Sequence, residues 1–372
     1  MKLTIERAAL LKSLAHVQSV VERRNTIPIL SNVKLDGRAG TLSLNATDMD
    51  LDFIETVPAD VSRPGAATAP AHTFYEIVRK LPEGSQVEID YSAEDGQLTL
   101  RSGRSKFSLA CLPVEDFPVL SGGDLPHNFT VTAAELKTLI DRTRFAISTE
   151  ETRYYLNGIY LHGASGPNGD VLRAAATDGH RLARVEVTMP DGAAGMPGVI
   201  VPRKTVNEIR KLIDETEGEV AIALSETKIR FAFGGAVLTS KLIDGTFPDY
   251  ERVIPADNDK HLEVDVKAFA SAVDRVSAIS TEKSRAIKLS VEKGAVTLSA
   301  SSPESGSAVE EIEAAYGAAP LEIGFNSRYL LDILGQVEGE TVHFAMADAA
   351  SPTVVRDAAA GGAVYVLMPM RV

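Results

Sequence analysis

The sequence predicts an α+β protein of three tandem homologous domains, each built from two units of strand, helix and antiparallel strands. Three observations predict it. A supersecondary unit running from Gly198 to Tyr250 recurs twice elsewhere in the chain, and the segments between its copies repeat as well. The period is about 125 residues, which divides a 372-residue chain into three. Apolar spacing inside the units alternates between the helical period and the strand period of two.

The elements follow in order. LTIERAALLKSLAHV at Leu3 puts a short strand before an amphipathic helix, and PILSNVKLDG and TLSLNATDMDLDFI follow as strand-like segments. From Gly65 to Leu120, ATAP leads into the helical HTFYEIVRKLPEG and the strands QVEIDY, QLTLRSG and KFSLACL. The middle third opens on FTVTAAELKTLIDRT at Phe129 and continues through LNGIYLHG and VLRAAATDGHRLARVEV. There VIVP reads as a strand, and RKTVNEIRKLIDE places Val206, Ile209, Leu212 and Ile213 at helical spacing. EVAIAL, KIRFAF and VLTSKL then alternate apolar and polar residues, separated by turn-forming SET and GG. Phe117-Pro118 and Phe247-Pro248 close the first two copies. The last third repeats the order with LEVDVKAFASAVDRV at Leu262, AIKLSVEKG, AVTLSASS, LEIGF, NSRYLLDILGQ, TVHFAM, TVVRDA and AVYVLMPMRV. The expected domains are residues 1–122, 127–251 and 252–372.

Apolar residues make up 44% of the chain and charged ones 24%, the balance of a soluble globular protein. The single cysteine, Cys111, excludes an internal disulfide framework and reads as a small core residue of an alternating strand. Glu6, Arg7 and Lys12 interrupt the N-terminal segment, so it lacks a signal peptide's apolar core, and no window approaches the roughly 18 apolar residues of a membrane span. A cytoplasmic location without membrane attachment is expected.

The formal net charge of −13 hides where the charges lie. Lys and Arg collect on the helices and their approaches, as at Arg7, Lys12, Arg79, Lys80, Lys137, Arg203, Lys204, Arg210, Lys211, Lys267, Arg275 and Arg328. Acids dominate strands and loops such as VEIDYSAEDG and EEIEAAYG. Because Glu76, Glu135, Asp141, Glu208 and Asp274 sit among the basic residues, ordinary solvated helices also explain the pattern. Geometry favours a curved layer. An arc closing around a duplex needs an inner circumference on the order of 100 Å, or about 11 to 12 helices at 8 to 10 Å spacing, and one chain supplies half of that ring.

PILSN, RSGRSKFSL, RYYLNG, ATDGHRLA, IVPRK, LTSKLIDGTFPDYERVIP and YVLMPMRV are long, ordered and correctly spaced along the chain. On these residues the sequence closely resembles, over its full length, the bacterial DNA sliding clamp family, the beta subunit of DNA polymerase III. The resemblance implies a DNA-clamp fold, a head-to-tail homodimeric ring with helices lining the pore, no catalysis and no cofactor. It also implies sequence-independent binding of double-stranded DNA, an ATP-driven clamp loader complex, and tethering of the polymerase III catalytic subunit and of other polymerases and repair proteins that carry clamp-binding peptides.

The family's peptide cleft maps onto Leu156, Thr177, Gly179, His180, Arg181, Leu182, Pro248, Arg252 and Val253, and onto the terminal Val366, Leu367, Met368, Pro369, Met370, Arg371 and Val372. Physically, Leu, Val, Met and Pro make an apolar groove for a partner's Leu or Phe, and adaptable methionines suit several partners. On composition alone Val366 to Met370 reads as an ordinary core strand. Val372 stands where the family more often has Leu, and Pro352 where it often has Ser.

For DNA the resemblance points to Arg24, Arg153, Tyr154, Tyr155, Arg203 and Lys204, with Arg210 on the same helix as Lys204. Arginine pairs with phosphate and tyrosine can stack on an exposed base. Packing at a domain junction explains the tyrosines equally well, and Glu150 and Glu151 beside them weaken any attraction. The dimer contact is expected between the edge around Lys106, Phe107 and Leu109 and the region of Ala278 and Ile279, with Arg101 and Arg104 facing Glu304.

Two other classes are distinguishable. Asp178 and His180 suggest a hydrolytic triad, but no serine or cysteine sits in a nucleophile elbow, and there is no Walker or dinucleotide motif. Asp48, Asp50 and Asp52, read as one strand, share a face and suggest a metal site or solvated acids. A peptide-binding scaffold that never encloses DNA would keep the C-terminal groove without needing basic helices.

Overall fold

The structure, a computed structural model, describes residues 1–120, 123–280, 285–358 and 361–372. The limit expected at residue 122 lies outside these. Among the described residues the α-helices are α1 (Arg7–Val20), α2 (Ala71–Lys80), α3 (Ala133–Asp141), α4 (Arg203–Ile213), α5 (Val266–Ser277) and α6 (Ser327–Leu334). Each corresponds to a predicted one. Their apolar stripes hold them down: α4 buries Val206, Ile209, Leu212 and Ile213, and α1 buries Leu10, Leu14, Val17 and Val20. Asp265 caps α5 by accepting the Ala268 N–H at 2.7 Å, and Asn326 caps α6 by accepting those of Arg328 and Tyr329.

The chain gathers into two compact units. The first holds Met1–Leu136, Asp191–Ala193 and Lys204–Leu242. Its eight-stranded sheet runs His127–Thr132, Glu219–Leu224, Lys228–Phe233, Ala236–Lys241, Leu51–Pro58, Thr41–Thr47, Asn32–Arg38 and Gly65–Pro70. A five-stranded sheet runs Asp60–Arg63, Lys2–Glu6, Gln86–Ser92, Gln97–Ser102 and Ser105–Ala110. Leu10, Leu14, Leu35, Leu42, Leu44, Phe74 and Val78 are fully buried, each stabilising by on the order of 2 kcal/mol.

The second unit holds Lys137–Pro190, Ala194–Arg203 and Ile243–Val372. Its nine-stranded sheet runs Val199–Pro202, Gly158–Gly166, Gly169–Thr177, Arg181–Thr188, Ala363–Leu367, Thr353–Asp357, Thr341–Met346, Lys260–Asp265 and Ala315–Tyr316. Gly306–Glu313, Ala295–Ser302, Ala286–Glu292 and Leu321–Asn326 form a four-stranded sheet.

Neither unit is one third of the chain, because strands from neighbouring repeats pair. Leu51–Pro58 bonds to Ala236–Lys241, with Phe53 opposite Leu238, and Arg181–Thr188 bonds to Ala363–Leu367, with Leu182 opposite Val366. The repeating module is likewise divided: Val199–Pro202 pairs with Gly158–Gly166, while the meander after α4 pairs elsewhere. An edge strand satisfies its backbone with whichever edge lies beside it.

Four local expectations change. TLSLNATDMDLDFI and VLRAAATDGHRLARVEV are hairpins, so Asp48, Asp50 and Asp52 do not lie along one strand. Asp48 accepts the backbone N–H groups of Asp50 and Leu51 at 3.0 and 2.7 Å, with Met49 at φ +79°, and closes the turn. Asp178 does the same for His180 and Arg181 at 2.9 and 3.0 Å, with Gly179 at φ +88°. The C-terminal strand stops at Leu367, two residues before Pro369, whose missing N–H cannot serve a ladder. Asp60–Arg63 and Gly306–Glu313 are strands that the reading passed over, the latter because its acids mask the alternation at a sheet edge.

Candidate functional site

The residues expected to line a peptide cleft all lie in the second unit. Leu156, Leu182 and Val366 are buried in one cluster with Ala175, Ile200, Phe247 and Tyr250, and Tyr155, Tyr160, Ile243 and Ile254 pack against it. Beside this floor Pro248, Arg252 and Val253 are exposed, as are Met368, Arg371 and Val372. The terminal segment leaves its strand but stays tethered. Met368 N–H donates to the His180 carbonyl, and Met370 N–H to that of Gly324, both at 2.9 Å. Gly324, absent from the sequence reading, matters because it has no side chain: a Cβ there would lie 2.4 Å from Val372 Cγ1. The result is an apolar floor under an exposed, methionine-bearing rim.

The hairpin tip supplies the other edge. Thr177 Oγ1 donates to the Arg181 carbonyl at 2.7 Å and accepts the Gly179 N–H at 3.1 Å, leaving Gly179 and His180 exposed. The His180 ring stacks on Tyr329 of α6, 6.1 Å between centroids.

Two expected lining residues turn inward. Leu367 is fully buried, on the opposite strand face from Val366, and belongs to the core. Arg181 is a brace: it pairs with Asp178 at 3.1 Å and Asp332 at 2.5 Å, donates to the Phe145 carbonyl at 2.6 Å, and lies over the Tyr329 ring at 4.3 Å. Only 9% of its side chain is exposed, so it holds the groove wall rather than offering a free charge. Asp178, spent on Arg181 and the turn, is no triad member. Arg252 is exposed and pairs with Asp249 at 2.7 Å.

The residues expected to contact DNA separate into exposed and engaged groups. In the first unit Arg24 is exposed beyond α1. Lys204 pairs with Asp48 at 2.5 Å and Glu22 at 3.2 Å; burial opposes its charge, yet these carboxylates hold its pKa above the ordinary value. Arg210 pairs with Asp214 at 2.6 Å and is mostly covered. Both therefore carry compensated charge. In the second unit Arg203 is exposed at the start of α4, and Arg153 pairs with Glu150 at 3.0 Å. Tyr154 is 53% exposed, whereas Tyr155 packs on the groove cluster, so stacking falls to the first and packing to the second.

The residues expected at a dimer contact are divided. Ser105–Ala110 ends its sheet, with Lys106 and Phe107 exposed, but Leu109 is buried and faces the core. Arg101 lies 3.8 Å from Glu88, Arg104 is exposed, and Glu304 sits in the turn before Gly306–Glu313. Ala278 and Ile279 follow α5 and are not on a strand. The edge strand of that sheet is Gly306–Glu313, whose Val309 is 70% exposed; its GSAVEEIE alternation was the available signal.

Other features are structural. A cavity of about 500 Å³ between α1 and α4 is lined by Leu11, His16, Phe53, Tyr75 and Leu212; at its wall His16 meets Glu55 at 2.9 Å and Glu215 at 3.2 Å, Lys12 meets Glu215 at 2.9 Å, and Arg7 donates to the Val78 and Arg79 carbonyls. Burial pushes the Cys111 thiol up to about 11, far from a nucleophile's range. Among the described residues no cluster of His, Cys, Asp and Glu could hold a metal, and no helix is long and apolar enough to cross a membrane.

Comparison with known proteins identifies the family. Residues 1–121, 130–249 and 251–371 match the N-terminal, central and C-terminal domains of the DNA polymerase III beta subunit. The chain is 57% identical over 372 residues to the beta sliding clamp of Caulobacter vibrioides NA1000 and 40% over 374 residues to that of Escherichia coli K12, each covering all of both chains. It is similar over the whole of both chains to a Bartonella birtlesii sliding clamp bound to griselimycin, with TM-score 0.97 and 51% identity. A Pseudomonas aeruginosa clamp structure gives TM-score 0.93 at 40% identity, again over both whole chains. Domain by domain and along its full length, the chain belongs to the DNA polymerase III beta subunit family.

Proposed function

We propose that the chain works as a sliding clamp in the cytoplasm: two copies close head to tail into a ring around duplex DNA, and the groove holds peptides of the polymerase III catalytic subunit, other polymerases, repair proteins and the clamp loader. As a family member it is a non-catalytic processivity subunit. The domain limits we propose are 1–122, 127–251 and 252–372. The observation that carries the tethering role is the terminal segment, bonded to His180 and Gly324, that sets exposed Met368 and Val372 beside buried Leu156, Leu182 and Val366. An apolar floor with a flexible rim is suited to a short segment bearing Leu or Phe.

The hold on DNA is topological. Exposed Arg24 and Arg203 attract phosphates without reading bases, an attraction that is salt-sensitive and interchangeable along the duplex. The ring slides, and a tethered polymerase stays near its template by effective concentration.

Loading the labelled protein onto nicked circular plasmid with a clamp loader and ATP, then cutting the plasmid once, tests the ring. Release on cutting is expected, and Arg24→Glu with Arg203→Glu should reduce loading while leaving peptide binding intact. Retention on linear DNA overturns the ring and favours a scaffold that adheres to DNA.

A further inference from the structure

Beneath the groove rim lies a polar network that the groove residues do not include. On Gly158–Gly166, Tyr160 stacks on His162 at 4.5 Å and on Phe247 at 4.8 Å with only 7° between the planes. His162 Nδ1 lies 2.9 Å from the Gly163 carbonyl oxygen, which can only accept, so Nδ1 carries the proton and Nε2 presents a lone pair. The Tyr250 hydroxyl, 2.8 Å away, donates to it. Tyr250 opens the short turn Tyr250–Val253, whose end carries the rim residues Arg252 and Val253. The next residue, Glu251, pairs with Arg173 of the adjacent strand, which also holds Glu186 at 2.7 Å. No side chain caps this turn.

We propose that His162, Tyr250 and Arg173 are positioning residues for partner binding: they pin two successive residues of the turn to two different strands and so set Val253 and the groove floor. This rests on the reading of the groove as a peptide site. A turn of four residues fastened at two adjacent positions cannot rotate without breaking a bond. Tyr250 and Phe247 also belong to the cluster containing Leu156, Leu182 and Val366, so a shift of the tyrosine ring moves the floor.

A pH dependence follows. Protonating His162 places a hydrogen on Nε2, which then donates to the Tyr250 oxygen and reverses that bond, and it adds a positive charge that repels Arg173 and Arg184. The groups around it are Tyr250 and Glu251 on the turn, Arg173 on one strand, and Arg184 and Glu186 on the next. Burial holds His162 below its ordinary 6.5, the two arginines add to this, and the Gly163 carbonyl and Glu251 oppose it. Peptide affinity should therefore be constant at neutral pH and weaken on acidification.

Fluorescence anisotropy with a short fluorescein-labelled peptide ending in Leu-Phe, from about pH 8 to about pH 5, tests this on the full-length protein. Tyr250→Phe keeps the ring but loses the hydroxyl; it should bind about fivefold more weakly at pH 8 and keep the acid weakening, whose source is the charge on His162. His162→Gln, whose amide oxygen still accepts from Tyr250, should bind as the wild type does at pH 8 and lose the part of the acid weakening that comes from His162. Any contribution of His180 persists in all three proteins and subtracts out. Wild-type affinity in Tyr250→Phe, or acid weakening as large in His162→Gln as in the wild type, overturns the proposal, as does a uniform loss in both variants that tracks their melting temperatures. Failure of the wild type to bind the peptide instead removes the groove reading, and the positioning role with it.

Discussion

Asp52 shows what a single side chain costs this fold. It is 8% exposed, and its Oδ1 and that of Asn45 are both buried without a hydrogen-bond partner among the described residues. Burial pushes its carboxyl up to about 6. A carboxyl raised above its unfolded value, about 3.9, subtracts stability: the penalty is absent below that value, grows as pH rises, and is complete above the folded value. Asp52→Asn should therefore stabilise the protein by on the order of 2 kcal/mol at pH 8 and by almost nothing near pH 4, and its amide can donate to Asn45 Oδ1. Urea unfolding at the two pH values measures the difference; an equal gain at both would refute the ionic origin. In sequence Asp52 read as one of three acids sharing a face, because alternation is visible in a string of residues and a turn closed by Asp48 is visible only with its hydrogen bonds. Arg181 teaches the same lesson in reverse. Its motif was legible, but its work as a brace against Asp332 and Tyr329 depends on a helix 151 residues away in the chain.

The terminal segment from Met368 to Val372 can lie against the strand Leu321–Asn326 because one residue of that strand is glycine. Met370 bonds to Gly324, and a Cβ at that position would lie 2.5 Å from the Met370 oxygen as well as 2.4 Å from Val372. Gly324→Ala should lift the segment and weaken peptide binding by about tenfold, the loss of one tether and its apolar contact, while circular dichroism and melting stay near wild type. Unchanged peptide affinity would mean that the tail does not form the wall. The helices needed no such help: the spacing of Val206, Ile209, Leu212 and Ile213 marked α4, and the same reasoning located all six. Strands fared unevenly. Apolar ones such as TVHFAM were plain, whereas GSAVEEIE was hidden by its acids, since an edge strand has a polar face and little core to declare it.

At the scale of the whole molecule, sheet edges are what one copy can offer another. Ser105–Ala110 and Gly306–Glu313 each end a sheet, with Phe107 36% and Val309 70% exposed. If the proposed ring forms through this edge, Phe107→Glu should shift the protein from dimer to monomer at micromolar concentration, measured by analytical ultracentrifugation, because a charge on an edge strand opposes pairing. A dimer as tight as wild type would exclude this edge from the interface. The sequence by itself determined the threefold repeat, the helices and the family, since periodicity and motifs are properties of neighbouring residues. The tertiary structure alone decided that strands of adjacent repeats join into common sheets, that Lys204 and Arg210 are neutralised by Asp48 and Asp214, and that Tyr250 answers to His162. The physical reason is shared: hydrogen bonds and ion pairs between residues far apart in the chain are set by which edges and side chains the packed core brings together, and no local pattern records the partner.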